Sequence, residues 1–211
     1  QHRLDYVQPQ TAWAPAATAS VSLASVPENA LIDVPAGEVT LGKGSPHLDA
    51  CSADGDARHY GWDNEYGSYL AGVPAFQAAR MLVSNAEYLA FVEGEGYKID
   101  RYWNEEGLAW RNFARAAYPS FWVKQPDSWH LRLMTDVVPM PWDWPVEVNC
   151  HEAAAFCAWK AEVTGEPVRL PTEDEWYRLY DLAEVTAETA AQRRLAGGAS
   201  AVAVNQYAHG D

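Results

Sequence analysis

Apolar and polar positions alternate in distinct ways along the chain, and each pattern predicts an element. Leu31-Ile32-Asp33-Val34 and Glu38-Val39-Thr40-Leu41 are short β-type runs on either side of Pro35-Ala36-Gly37, which predicts a hairpin. Ser84 followed by Glu87 is a capping-box pattern. It predicts a helix from Asn85, with Tyr88, Leu89 and Val92 on one face and a stop at Gly94. Asn149 with Glu152 repeats the arrangement and predicts a helix to about Thr164, carrying Phe156 and Val163 on its apolar stripe and ended by Gly165. Val168-Arg169-Leu170-Pro171 is expected to be a short strand. Thr172 with Glu175 opens a further helix that buries Trp176, Leu179 and Ala183. Between these helices, residues 97–148 hold six tryptophans and several prolines, and only a helix near Glu105–Phe113 is expected there.

The flanking composition differs. Residues 8–30 carry Pro9, Pro15 and Pro27 among many Ala and Ser, which is linker composition. Residues 43–59 are rich in Gly, Ser, Asp and Ala and are expected to form a long loop. The expected class is α+β with much irregular structure. The expected organisation is residues 1–30 as the end of an upstream helical domain plus linker, and residues 31–211 as one domain, incomplete at its C-terminus.

Composition narrows the chemistry. The 211 residues carry a formal net charge of −14 with no Lys/Arg cluster, which argues against a nucleic-acid backbone or an anionic membrane as partner. No apolar run reaches the ~18 residues of a membrane span. Cys150 and Cys157 stand seven positions apart on one predicted helix, about 10 Å by helical rise and too far to bond each other. With Cys51 the count is odd. A reducing, cytoplasmic setting is therefore expected. Ten Trp and eleven Tyr point to aromatic packing or a ring-lined cleft.

No two of the six His lie three or four apart, so no helix face presents a pair of imidazoles to a metal. His47 and His59 share the loop with Asp49, Asp54 and Asp56, at spacings that match no calcium loop. The densest polar-aromatic cluster is Tyr60-Gly61-Trp62-Asp63-Asn64-Glu65-Tyr66-Gly67. A turn flanked by glycines can aim Trp62, Asp63, Asn64 and Glu65 at a cationic or amide-bearing ligand. It can also bond its own backbone.

Three segments carry a resemblance. Pro145-Val146-Glu147-Val148-Asn149 with Glu152 and Ala155-Phe156-Cys157-Ala158-Trp159, and Arg169-Leu170-Pro171-Thr172-Glu173 with Glu175-Trp176, resemble the formylglycine-generating-enzyme superfamily, a variant of the C-type-lectin-like fold. Gly61-Trp62-Asp63-Asn64-Glu65, with Val39-Thr40-Leu41-Gly42-Lys43 before it, resembles the sulfoxide-synthase branch. Tyr66-Gly67 and Trp144 to Asn149 are more similar to ovothiol synthases than to ergothioneine synthases.

The resemblance implies a non-haem Fe(II) enzyme that uses O2 to join cysteine sulfur to the imidazole of histidine as a sulfoxide. It implies that the iron is held by an upstream helical domain of the same protein through an HxxxHxE motif, which this chain lacks. It also implies that Gln1-His2-Arg3-Leu4 is the tail of that helix, and that the chain alone is inactive. No catalytic residue and no metal ligand is assigned here. Trp62, Asp63, Asn64 and Glu65 are the expected substrate-binding residues. Two other readings stay open: a true formylglycine-generating oxidase, and a non-catalytic lectin-like binding module.

Overall fold

The computed structural model describes residues 22–42 and 67–182, in two compact units. One unit contains residues 30–42, 67–80 and 171–182. The other contains residues 22–29 and 81–170.

The first is a ribbon unit. Strands β1 (Leu31–Val34) and β2 (Gly37–Leu41) do not form the expected hairpin. Instead β1 pairs antiparallel with β4 (Phe76–Ala79), and β2 pairs with β3 (Tyr69–Val73). The two registers are continuous: Val34 faces Phe76, and three residues on, Gly37 faces Val73. Pro35-Ala36 and Pro74-Ala75 fall in the gap. Each proline lacks the N–H a ladder needs, so one long ribbon is interrupted there rather than turned back. Val39, Ala71 and Val73 are buried, with Leu41, Phe76 and Tyr177 packed against them. Tyr177 belongs to helical residues 173–182, whose start is held by the Thr172 N–H donating to Glu175 Oε2 at 2.9 Å. The buried position in this helix is Glu175. Trp176, expected inside, is 45% exposed, because the helix turns its Tyr177 side to the ribbon. Leu179 is half-buried, and Ala183 lies outside the described residues.

The helix also closes the break in the ribbon. Arg178 Nε donates to the Pro35 carbonyl at 3.1 Å and its guanidinium reaches the Ala36 carbonyl at 3.5 Å. Gly37 lies under that guanidinium, where a Cβ would meet Arg178 Cζ at 2.6 Å.

The second is an aromatic unit. Helix α1 (Asn85–Glu93) begins with the full capping box of Ser84 and Glu87 and stops at Gly94. Helix α2 (Glu105–Ala114) is capped by Asn104. Helix α3 (Cys150–Thr164) has the box of Asn149 and Glu152 and ends at Gly165 with φ +74°. A three-stranded antiparallel sheet, β5 (Trp122–Lys124), β6 (Trp129–Arg132) and β7 (Val137–Pro139), lies in the stretch where none was expected. Its strands are only three or four residues long, too short for sequence periodicity to register.

Tyr88, Phe91, Tyr97, Tyr102, Trp103, Trp122 and Phe156 form the centre of this unit, together with Leu89, Leu131, Met140 and Ala155. Phe91, absent from the expected face of α1, is fully buried, whereas Val163 is 64% exposed. The buried side of α3 runs through Glu152, Ala155 and Phe156, and residues 162–164 all extend past the core into solvent. Residues 168–170 form no strand. They lie between Pro167 and Pro171, whose missing N–H groups prevent a ladder from extending past either end.

Candidate functional site

The expected turn of Trp62, Asp63, Asn64 and Glu65 lies outside the described residues, as do Cys51, His47, His59 and the acidic positions between them. The structure does fix the stems of the segment that carries it. Leu41 faces Tyr69 as the last pair of the ribbon, so residues 42–68 leave and rejoin the fold at one end of β2 and β3. Gly42 at φ +92° and Gly67 at φ +141° stand just beyond that pair, in backbone geometry that favours glycine. Tyr69 and Leu70 beside them are 67% and 60% exposed.

The aromatic unit contains a polar constellation that the sequence reading did not single out. The Asn149–Glu152 box places the Glu152 carboxyl at the start of α3, where Oε2 accepts from the Asn149 N–H at 3.0 Å. The other oxygen, Oε1, accepts from the Tyr97 hydroxyl at 2.5 Å. Tyr88 joins them: its hydroxyl is 3.3 Å from that of Tyr97 and 3.3 Å from the Glu152 carbonyl. Glu152 is 2% exposed, and burial pushes its carboxyl above the usual carboxylate range. Burial likewise pushes both phenols well above the ordinary tyrosine value. Only the capping pattern of Glu152 was visible in the sequence. Its two tyrosine partners come from 55 and 64 residues away.

A second buried polar centre is Asn85. Its Nδ2 donates to the Pro141 carbonyl at 2.9 Å, its Oδ1 accepts from Trp122 Nε1 at 3.1 Å, and its N–H donates to the Trp144 carbonyl at 2.8 Å. It ties the proline-rich segment 141–145 to the start of α1.

Shallow depressions occur among the described residues, two of them at these elements. One, about 250 Å³, is lined by Ser120, Phe121, Glu147, Val148, Asn149 and Glu152. With the Glu152 carboxyl committed to Tyr97 and Asn149, Glu147 is its exposed carboxylate. The other, about 410 Å³, lies over the break in the ribbon between Val34–Pro35 and Ala75–Phe76.

Cys150 is exposed and Cys157 half-buried, and both are free thiols. Burial raises the Cys157 thiol above its ordinary value, the opposite of what an activated nucleophile needs. His151 stacks on Trp110, with ring centroids 6.2 Å apart. Among the described residues no group of three His, Cys, Asp or Glu is placed to hold a metal ion, and no helix is long and apolar enough to cross a membrane.

The model of the sulfatase-modifying factor enzyme 1-like domain matches residues 17–181. The chain belongs to this family. Its described elements, capped helices with small antiparallel sheets, are consistent with an α+β member of the sulfatase-modifying factor enzyme 1-like family. A protein of Mycolicibacterium thermoresistibile called hercynine oxygenase is 40% identical over 118 residues, 56% of this chain and 24% of that protein. The hercynine oxygenase of Mycolicibacterium smegmatis is 34% identical over 142 residues, 67% of this chain and 31% of its own length. Ergothioneine biosynthesis protein 1 of Neurospora crassa is 28% identical over 199 residues, 85% of this chain and 21% of its own length. The chain thus spans less than a third of these relatives.

Proposed function

We propose that this chain supplies a wall of the substrate cleft in a non-haem Fe(II), O2-dependent sulfoxide synthase. The enzyme joins the sulfur of a cysteine-type thiol to an imidazole carbon of a histidine-type substrate. The observation that carries the reading is the family match over residues 17–181 together with relatives named for oxygenation of hercynine and for ergothioneine biosynthesis. The described residues do not fit an iron centre, since they gather no set of three ligating side chains. No step is assigned through iron here. Its ligands belong to a helical domain elsewhere in the same cytoplasmic protein.

The role left to this chain is positioning. Leu41 and Tyr69, the last pair of the ribbon, flank in sequence the segment that carries Trp62, Asp63, Asn64 and Glu65. Asp63 and Glu65 suit the ammonium of an amino-acid substrate, and Trp62 suits stacking on its imidazole. Holding such a ligand in one orientation replaces a bimolecular search with a local encounter, and a closed cleft limits the access of water.

Histidine and cysteine, the ovothiol-type pair, are the proposed substrates, on the character of Tyr66-Gly67 and of Trp144 to Asn149. A second reading, hercynine as the imidazole substrate, is favoured by the names of the relatives. The test uses the full-length gene product with Fe(II) and O2. Cysteine or γ-glutamylcysteine is offered with histidine or hercynine, and the sulfoxide is read by mass spectrometry. Sulfoxide from histidine is expected. Product from hercynine alone selects the second reading, and no carbon–sulfur product from either overturns both. The 211-residue chain by itself is expected to give no product. Turnover there would place the iron ligands within it.

A further inference from the structure

Seven of the eleven buried residues at the centre of the aromatic unit are aromatic. The oxidisable rings among them join others into a continuous line. Tyr118 contacts Trp129 (centroids 5.1 Å apart), Trp129 contacts Trp122 (5.3 Å), and Trp122 contacts Tyr88 (6.3 Å). Tyr88 and Tyr97 meet through their hydroxyls at 3.3 Å. Tyr97 contacts Trp103 (5.5 Å), and Trp103 stacks on Trp110 (6.2 Å, interplanar angle 23°). Every ring-to-ring step lies in the ~4.5–7 Å range of direct aromatic contact. Trp122, Tyr88, Tyr97 and Trp103 are buried, while Trp110 at one end and Trp129 and Tyr118 at the other are half-buried. Phe91 and Phe156, which are hard to oxidise, pack beside the line and are not links in it.

Ring packing by itself does not require a buried ionisable group, which costs free energy to desolvate. Here a phenol and a carboxyl are buried together at the midpoint of the line. Indole and phenol are among the side chains that lose one electron most readily. A phenol that does so becomes strongly acidic and must release its proton to a base in contact. Tyr97 has that base: its O–H donates to Glu152 Oε1 at 2.5 Å.

We propose that this line is a relay for oxidising equivalents across the aromatic unit, with Glu152 as its internal proton acceptor. A one-electron oxidant at the surface takes an electron from Trp110 and is itself reduced. Trp103 refills Trp110, and Tyr97 refills Trp103. As Tyr97 gives up its electron, its hydroxyl proton moves to the Glu152 carboxylate, leaving a neutral tyrosyl radical and a carboxylic acid. Electrons return to Tyr97 from a small thiol at half-buried Tyr118, through Trp129, Trp122 and Tyr88. Glu152 hands its proton back to Tyr97, and the thiol, having lost one electron to the line and one proton to water, becomes a thiyl radical. The raised proton affinity of buried Glu152 favours the middle step. The relay would carry stray oxidants away from the core. It does not depend on the identity of the enzyme's substrates.

The experiment needs neither iron nor turnover. A ruthenium polypyridyl photo-oxidant is attached to exposed Cys150, next to His151, which stacks on Trp110. The 211-residue chain carries Cys51→Ser and Cys157→Ser, and near-ultraviolet circular dichroism verifies folding. After a flash with a sacrificial electron acceptor, transient absorption is expected to show an indole radical followed by a tyrosyl radical. Trp110→Phe and Trp103→Phe should each lower the tyrosyl yield several-fold. Glu152→Gln should suppress the tyrosyl signal and leave the indole signal. Trp110 sits at the edge of the unit, so its variant carries the test if Trp103→Phe does not fold. The relay is overturned by an unchanged tyrosyl yield in folded Trp110→Phe, by an unchanged yield in Glu152→Gln, or by no tyrosyl signal in the parent.

Discussion

The two units solve the burial problem in different ways. The aromatic unit surrounds fully buried Phe91 and nearly buried Tyr88 with rings from α3, β5 and the segment between α1 and α2. It also satisfies its buried polar groups over long sequence distances, as at Asn85 and Glu152. The ribbon unit buries only Val39, Ala71 and Val73 among its described hydrophobics, apart from Val34 in β1, and its ladder is broken by two prolines. At the break, Arg178 binds the Pro35 and Ala36 carbonyls. The contrast teaches that one region is held by ring packing and the other more by hydrogen bonds, among them those of Arg178 at the break and of Gln77 to Asp33 across β1 and β4. Opening should therefore begin in the ribbon.

The largest blow to this contrast is Phe91→Ala. Removing a fully buried ring at the centre of the aromatic unit should cost about 3–5 kcal/mol, read by urea denaturation followed by tryptophan fluorescence. A loss below about 1 kcal/mol, the range of ordinary surface changes, would mean that the rings do not hold the unit together.

Glu152→Gln sharpens the comparison through pH. A carboxyl whose folded pKa is raised contributes its full stability below the unfolded value, near 4.5, and loses it as pH rises through the folded value. The amide keeps the shape without the ionisation. Relative to the parent, the variant should therefore gain stability as pH rises from 4 toward neutrality. The observable is the difference between the two denaturation curves at each pH. A difference that is flat, or that moves the other way, contradicts the burial account of Glu152.

The smallest effect is expected from Arg178→Ala. Two hydrogen bonds at a partly exposed site are worth roughly 0.5–1.5 kcal/mol in all. The loss should appear as faster hydrogen exchange at Gly37–Leu41 and Tyr69–Val73, with α1 and α3 unchanged. Uniform acceleration in both units would erase the distinction between them.

Local signals were legible wherever the responsible atoms lie within one turn of helix. Ser84/Glu87, Asn149/Glu152 and Thr172/Glu175 announce their helices because a side-chain oxygen and a backbone N–H three residues away satisfy each other. Pro35-Ala36-Gly37 misled because it has the composition of a turn. Pro74, which faces Ala36 across the ribbon, shows that both strands carry the same interruption and run on through it. Val163 misled because helical spacing says which residues share a face, but not how far the core extends beneath it. The expected turn of Trp62 to Glu65 lies outside the described residues, and the structure gives only the ribbon end at Leu41 and Tyr69.

What the sequence determined by itself is the set of helices, their caps and stops, and the family signature carried by Pro145–Trp159 and Arg169–Trp176. These depend on contacts a few residues apart, which the order of residues alone specifies. Only the tertiary structure decided that β1 and β2 pair with β4 and β3, that Arg178 sits over Gly37, and that Tyr97 points its hydroxyl at Glu152. Those partners are separated by tens of residues. Many pairings satisfy the same hydrophobic pattern, and the choice among them is made by packing every ring and bonding every buried polar group at once.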